Sequence, residues 1–276
     1  MSCMQADKKK ALIEDDFLVA EQHLSNQLKA VPEPTVYPRT TGKDGQLIAT
    51  PKNDWTEGFY PGCLWYIYEH NREESWKQSA VKWTEALEPM KKLTSHHDIG
   101  FLIYCSFGNG YRLTGKEEYK DVIIEAANSL TTRFSEVTGC IKSWNYRKAW
   151  NGKDEWFYPV IIDNMMNLEL LFEATKLSGD STFYNIAVKH ADTTMAHHFR
   201  PDNSCYHVVD YDPETGEVRK RQTAQGYADE SAWARGQAWA LYGYTTCYRY
   251  TKDKKYLDQA QKVYLSLIHI SEPTRH

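Results

Sequence analysis

The sequence predicts an all-α fold: helical hairpins packed side by side and closed into a toroid, with one small β-hairpin. Three observations carry this. Four stretches begin alike, NREESW, TGKEEY, SGDSTF and TKDKKY, and place Trp76, Tyr119, Phe183 and Tyr256 five residues after Asn71, Thr114, Ser178 and Thr251. Between them lie more uniformly apolar helices, which have to be covered on most sides, so fully covered and half-covered helices alternate. The repeated aromatics are 43, 64 and 73 residues apart. An open solenoid keeps a nearly constant repeat, and this variation favours a closed ring.

Along the chain, GFYPGCLWYIYEH is the first apolar helix, and NREESW opens its amphipathic partner with Trp76 and Ala80 one turn apart. Residues i and i+4 share a helix face, so aromatic plus Ala forms a docking stripe, which Phe183 with Ala187 and Tyr256 with Ala260 repeat. SHHDIGFLIYCSFGNGYRLTG gives a second apolar helix headed by Asp98, and TGKEEY its partner. YPVIIDNMMNLELLFEATKLSG begins with four residues of extended character and continues as a helix headed by Asp163. CYHVVDYDPETGEVRKRQ alternates apolar and polar residues around DPETG and predicts a β-hairpin projecting from the ring, with His207 on its first strand. SAWARGQAWALYGYTTCY is the last apolar helix, followed by YLDQAQKVYLSL. The closing residues IHISEPTRH carry no helix-ending signal and resemble a translated cloning tail, so residues 1–267 are taken as one partial domain and 268–276 as non-native.

With 276 residues the chain fits one large domain. A mean hydropathy of −0.66 and the lack of a long apolar run argue against a membrane-spanning segment. Net charge is −4 with both signs dispersed, which does not suit a nucleic-acid partner. The 19 Tyr and 9 Trp supply flat amphipathic rings suited to sugars, and equally suited to a toroid core. Six Cys show no metal or disulfide spacing, and Cys63, Cys105 and Cys247 read as core inside apolar helices. His96, His97, His197 and His198 are sequence neighbours; adjacent helical residues face different ways, so no metal is implied.

Asp163 and Asp98 are the sharpest functional signal. Each heads a helix too apolar to be a solvated surface, which suggests a carboxylate pair in one site. The competing reading is that each only caps its helix.

Six strings, DWTEGFYPGCLWYIYE, HHDIGFLIYCSFG, IKSWN, VIIDNMMNLELLFEA, CYHVVDYDPETGEV and GYADESAWARGQAWALYGY, occur in this order and closely resemble the unsaturated glucuronyl hydrolases of glycoside hydrolase family 88. The resemblance runs from about Trp55 to Tyr250. It implies an (α/α)6 barrel of twelve helices, of which about three would lie beyond this chain. It implies removal of the unsaturated uronic acid that polysaccharide lyases leave on oligosaccharides, without cofactor or metal. By the same resemblance Asp163 is the general acid and base and Asp98 holds the sugar ring. His207, Gln225, Arg235 and Trp239 match substrate-contacting positions, and Trp55 and Trp144 are the expected platforms.

Arg235 has a physical rationale, because a guanidinium grips a carboxylate with two parallel donors; a structural ion pair with Asp229 or Glu230 is the competing reading. Trp239 lies one turn from Arg235 and shares its face. Trp150 and Trp156 compete with Trp144 for its alignment. To act as an acid near neutrality Asp163 needs a raised pKa. An ionised Asp98 and the apolar Val160, Ile161, Ile162, Met165 and Met166 push it up, and the helix N-terminus opposes them. Two alternatives are a hydrolase of the same barrel acting on unsaturated galacturonyl-rhamnose from pectin, and an inactive fragment or sugar-binding module. Cys3, after a small residue and before a polar stretch, suggests a periplasmic lipoprotein, with a cytoplasmic protein as the alternative.

Overall fold

The computed structural model describes the backbone of residues 2–271 and the side chains of residues 11–267. The expected acylation of Cys3 and the tail at 268–276 therefore fall outside the described side chains. The chain divides into two compact units, residues 1–90 with 101–122, and residues 91–100 with 123–276.

The first unit opens with α1 (Ser2–Ala30) and a hairpin of β1 (Val36–Thr41) and β2 (Leu47–Pro51), which the sequence reading missed although Asp44-Gly45 marks its turn. Helices α2 (Phe59–Asn71) and α3 (Glu74–Glu85) then pack as an antiparallel pair. Their core is aromatic: Trp65 Nε1 donates to Thr84 Oγ1 at 2.9 Å, and Tyr37 Oη donates to the Trp83 carbonyl at 3.0 Å. The apolar run after Asp98 is not a regular α-helix. It forms a π-helix, Gly100–Gly108, continued by α4 (Asn109–Thr114). Helix α5 (Glu117–Thr131) follows, with residues 117–122 in this unit and 123–131 in the second.

In the second unit, short hairpins β3 (Phe134–Ser135) with β4 (Cys140–Ile141), and β5 (Arg147–Lys148) with β6 (Glu155–Trp156), precede β7 (Tyr158–Ile161). Then come α6 (Asn164–Ser178), α7 (Ser181–His197), β8 (Val208–Tyr211), β9 (Val218–Gln222), α8 (Ala234–Thr251) and α9 (Lys254–Ser271). Helix α6 packs on both α7 and α8, and α8 on α9. The hairpin around DPETG exists, but it does not project. β8 is the middle strand of a three-stranded antiparallel sheet, buried at all four positions, with β7 on its other side. The apolar strand YPVI supplies the partner that turns a surface hairpin into core.

The four repeated start signals are one corner built four times. The first residue of each accepts a bond from the backbone two residues on: Asn71 from Glu73, Thr114 from Lys116, Ser178 from Asp180 and Thr251 from Asp253, at 2.9–3.3 Å. The second residue, Arg72, Gly115, Gly179 or Lys252, has φ between 60° and 79° and ends the preceding helix. The aromatic that follows is buried in every case, as are Ala80, Ala187 and Ala260. Cys63 departs from expectation: it is exposed, Cys105 is half-buried, and Cys247 is buried as core. A helix apolar around its whole circumference still has one outward face, and Cys63 sits on it.

Candidate active site

The register of the three-stranded sheet builds the site. Ile161 pairs with Val208, and one step further the Ile162 amide donates to the His207 carbonyl at 3.0 Å. His207 thus stands just before β8, opposite the last extended residue before Asp163. Asp163 occupies the N-cap position of α6 with φ −54°, ψ −28°, and its side chain makes no capping bond. The carboxyl group thus does not act as a cap, and its side chain is only 9 % exposed.

Three groups meet this carboxyl. His207 Nε2 lies 3.5 Å from Oδ2, and the Trp239 indole and the Arg235 guanidinium both favour the charged form of the carboxyl. Burial, with the negative charge of Asp98 second, raises its pKa to about 7, against its own backbone, Arg235 and Trp239. This is the outcome the paired acids and apolar flank predict, since Val160, Ile161, Ile162 and Met165 are all buried.

Asp98 is the opposite case. Burial works against its charge, but His97, His96 and Arg133 outweigh burial and hold it below the usual carboxylate range. His96 Nδ1 is 3.0 Å from one oxygen and His97 Nε2 is 3.3 Å from the other. Two close-packed glycines let the supporting backbones approach. A Cβ on Gly100 would stand 2.7 Å from the Asn167 Cα, and one on Gly243 of α8 would stand 2.8 Å from the Met165 carbonyl oxygen. The His97 amide donates to the Ser143 carbonyl, and the Ser143 amide to the Pro159 carbonyl, so the Asp98 segment is fastened to the strand leading to Asp163.

Of the eight residues singled out in the sequence, seven lie in the second unit. Gln225 accepts from the Arg235 guanidinium, which also lies over the Trp233 ring at 4.6 Å. Asp229, a candidate ion-pair partner of Arg235, instead accepts from the Thr223 amide at 2.8 Å, and Glu230 pairs loosely with Arg200 at 3.8 Å. Trp144 meets His207 edge-on at 6.5 Å and stacks on Trp156 at 5.9 Å. Of the three tryptophans that compete for the alignment, Trp144 has this ring contact to His207, while Trp156 is buried and donates to Gln222 and Trp150 is exposed; Trp233 lies closer to His207, at 4.4 Å. Trp55 belongs to the first unit, packed on Phe59 and Phe101 with Arg39 over its ring.

The sequence reading passed over His96, His97, Asn164 and Asn167. Adjacent helical residues diverge, which argues against a shared role for the two histidines, but this segment is a bend, where both rings approach the same carboxylate. Asn164 and Asn167, fully buried and three residues apart on α6, were legible as an amide pair inside an apolar run.

A carboxyl group that can hold a proton at neutrality, near one that stays ionised, on a scaffold of helical hairpins, is the pairing that general acid–base chemistry requires. The chain belongs to Glycosyl Hydrolase Family 88, whose family model matches residues 33–270. It is 50 % identical over 227 residues to an unsaturated glucuronyl hydrolase of Formosa agariphila, covering 82 % of this chain and 56 % of that protein. It is 36 % identical to an unsaturated chondroitin disaccharide hydrolase of Streptococcus pyogenes, covering 79 % and 54 %. The chain therefore spans about half the length of these relatives. Among solved structures, an unsaturated glucuronyl hydrolase specific for heparin superposes with a TM-score of 0.88 at 40 % identity, over 94 % of this chain and 68 % of that one. A Streptococcus agalactiae variant complexed with dGlcA-GalNAc6S gives 0.74 at 30 % identity, over 92 % and 61 %. The fold class is the all-α (α/α)6 type that these structures share.

Proposed function

We propose that this site hydrates the double bond of a 4,5-unsaturated uronic acid at the non-reducing end of a lyase-generated oligosaccharide, releasing it from the next sugar. The observation that carries the reading is Asp163: a buried carboxyl group with a pKa of about 7, next to an Asp98 held ionised. The C4=C5 bond is an enol ether, so C4 accepts a proton and the positive charge left at C5 is stabilised by the ring oxygen. Protonated Asp163 gives that proton to C4, and its carboxylate then takes one from the water that adds at C5. The catalyst is restored and one water has been added. The resulting hemiketal opens and expels the leaving sugar. No covalent bond to the enzyme forms, so carboxylate separation carries no stereochemical message here.

Asp98 supplies the negative charge that keeps the proton on Asp163 and stabilises the cationic transition state. Arg235, aligned by Gln225 and stacked on Trp233, grips the uronate carboxylate, while Trp144 flanks the ring. The names of the relatives support glycosaminoglycan-derived disaccharides as the substrate class. The test follows the ultraviolet absorbance of the conjugated double bond with unsaturated disaccharides from chondroitin, hyaluronan, heparin and pectin. Bleaching of a glycosaminoglycan disaccharide by the wild type and not by Asp163→Asn supports the reading. Equal bleaching by both proteins, or none by a folded wild type, refutes it for this chain.

A further inference from the structure

Arg235 is aligned by a loop, and the hydrogen bonds that close this loop converge on one acid. We propose that Asp229 is a positioning residue: its carboxylate and its main-chain carbonyl fix the 223–233 loop, and through Gln225 it sets the direction of the Arg235 guanidinium. This rests on the hydrolase reading given above, in which Arg235 grips the uronate carboxylate.

Three parts of the site hang on this loop. The Ala224 and Gln225 amides donate to His207 Nδ1 at 3.0 and 3.1 Å, Gln225 Oε1 accepts from Arg235, and the Trp233 ring at the far end lies under the Arg235 guanidinium at 4.6 Å. Gln225 is itself exposed, so hydrogen bonds rather than burial have to hold it.

Asp229 ties the loop in two directions. Oδ1 accepts from the Thr223 amide at 2.8 Å, just past the end of β9, and Oδ2 lies 3.4 Å from Gln222 Nε2. Thr223 Oγ1 in turn accepts from the Gly226 amide at 2.7 Å, which closes the turn around Gln225. The Asp229 carbonyl accepts from Arg200 Nη2 at 2.8 Å. The same guanidinium donates to the Cys205 carbonyl at 3.1 Å and covers the Tyr206 ring at 3.7 Å, so the loop is fastened to the segment that leads into His207. Gln222 has other anchors, since Nε2 donates to Asp154 at 2.9 Å and Oε1 accepts from the Trp156 indole at 2.8 Å. The bond to the Thr223 amide is therefore the one whose loss opens the loop. An arginine held by a closed loop meets a carboxylate with its donors already ordered; once released, it has to be ordered by the substrate, and the cost falls on binding.

Kinetics and NMR on the whole chain decide this. In Asp229→Ala, KM for an unsaturated uronyl disaccharide should rise about three- to tenfold, with a smaller change in kcat. Asp229→Asn keeps an oxygen for the Thr223 amide and should bring KM back near the wild-type value. Added to Arg235→Lys, Asp229→Ala should raise KM little further, because its effect passes through Arg235. A purely structural role lowers the midpoint of thermal unfolding and leaves KM where it was. An unmoved KM in a folded Asp229→Ala protein, an equal rise in the Ala and Asn variants, or a full further rise in the Arg235→Lys background refutes the role. Without substrate, the guanidinium signals of Arg235, assigned with Arg235→Lys, should show hindered rotation in the wild type and in Asp229→Asn and faster rotation in Asp229→Ala. Free rotation in the wild type overturns the proposal without any variant. If the wild type hydrates no unsaturated disaccharide, the hydrolase reading falls while the rotation of Arg235 still decides the role of Asp229.

Discussion

His207 and Asp163 face each other across one antiparallel step, Nε2 to Oδ2 at 3.5 Å, and the direction of the imidazole is set from behind. The Ala224 and Gln225 amides donate to Nδ1 at 3.0 and 3.1 Å, which leaves the proton on Nε2, toward the carboxyl. Burial, helped by the positive charge of Arg235, lowers the His207 pKa to about 3, so the ring is a neutral donor.

His207→Phe keeps the ring volume and loses both edges. Asp163 loses the polar ring edge that lies 3.5 Å from it, and the Ala224 and Gln225 amides lose the acceptor that holds them, which loosens Gln225 behind Arg235. We expect kcat to fall roughly 10–100-fold and KM to rise, with the helical circular dichroism unchanged. A near-wild-type kcat would show that the 3.5 Å approach has no part in the chemistry.

Asp163→Asn separates chemistry from stability. The folded pKa of Asp163, about 7, lies above its ordinary 3.8, so the native state binds the proton more tightly than the unfolded chain. That contribution is fully present below about pH 4 and is lost as the pH rises through 7. Asn is neutral throughout, so the variant should gain on the wild type across this window, by about 4 kcal/mol at pH 8 relative to pH below 4. Urea unfolding of both proteins at pH 5 and pH 8 measures it. A difference that does not grow with pH would mean that Asp163 is not raised in the folded state.

Arg235→Lys keeps the charge and loses the planar fork that Gln225 and Trp233 orient. KM for a unsaturated uronyl disaccharide should rise about 10–100-fold with a smaller change in kcat. Restoration by high ionic strength is not expected, because what is lost is geometry. An unchanged KM would place the uronate carboxylate elsewhere.

Helix pairing was legible because it is local. A cap residue, an aromatic five positions on and Ala one turn later report the corner and the stripe together, and all four corners form. The sheet was only half legible. Alternation in CYHVVDY reads as a surface hairpin, whereas β8 is buried because YPVI, about fifty residues earlier, pairs with it, and no local pattern records that partner. Asp163 and Asp98 could be found as charges out of place, but not the histidines that divide their labour. A ring nitrogen is directed by distant donors such as Asn167 and the 224–225 amides, which sequence adjacency does not reveal. Cys63 failed for a related reason, since mean apolarity does not say which face of a helix is left uncovered.

The repeated corner also exposes an imperfection. Gly115 and Gly179 take the left-handed position at no steric cost, but Arg72 and Lys252 place a Cβ there at φ 62° and 60°. Lys252 is exposed and ends α8 through its backbone N–H to the Tyr248 carbonyl, a bond that glycine keeps. Lys252→Gly should stabilise the protein by about 0.5–1 kcal/mol, read as a higher midpoint of thermal unfolding with unaltered activity. A loss of stability would show that the Lys252 side chain contributes more than its backbone strain costs.

Gly243 tests whether helix packing sets the chemistry. It lies in the middle of α8, where Ala would by itself favour the helix by about 1 kcal/mol. Its added Cβ, however, meets Met165 Cβ, carbonyl carbon and carbonyl oxygen at 3.0 Å or less, and a backbone cannot rotate away as a side chain can. Overpacking of this kind costs about 1–3 kcal/mol, so Gly243→Ala should be destabilised overall, by roughly 1–2 kcal/mol. The larger effect should be on rate. Met165 is two residues from Asp163 at the start of the same helix, and the clash is relieved by moving that helix start away from α8. Displacement of a reacting group by about 1 Å costs around 100-fold, so kcat should fall steeply while KM changes little, because Arg235, Gln225 and Trp144 are not on α6. If stability falls and kcat does not, α6 has yielded at a point remote from its N-terminus, and Asp163 is held by the sheet register through Ile162 and His207 alone.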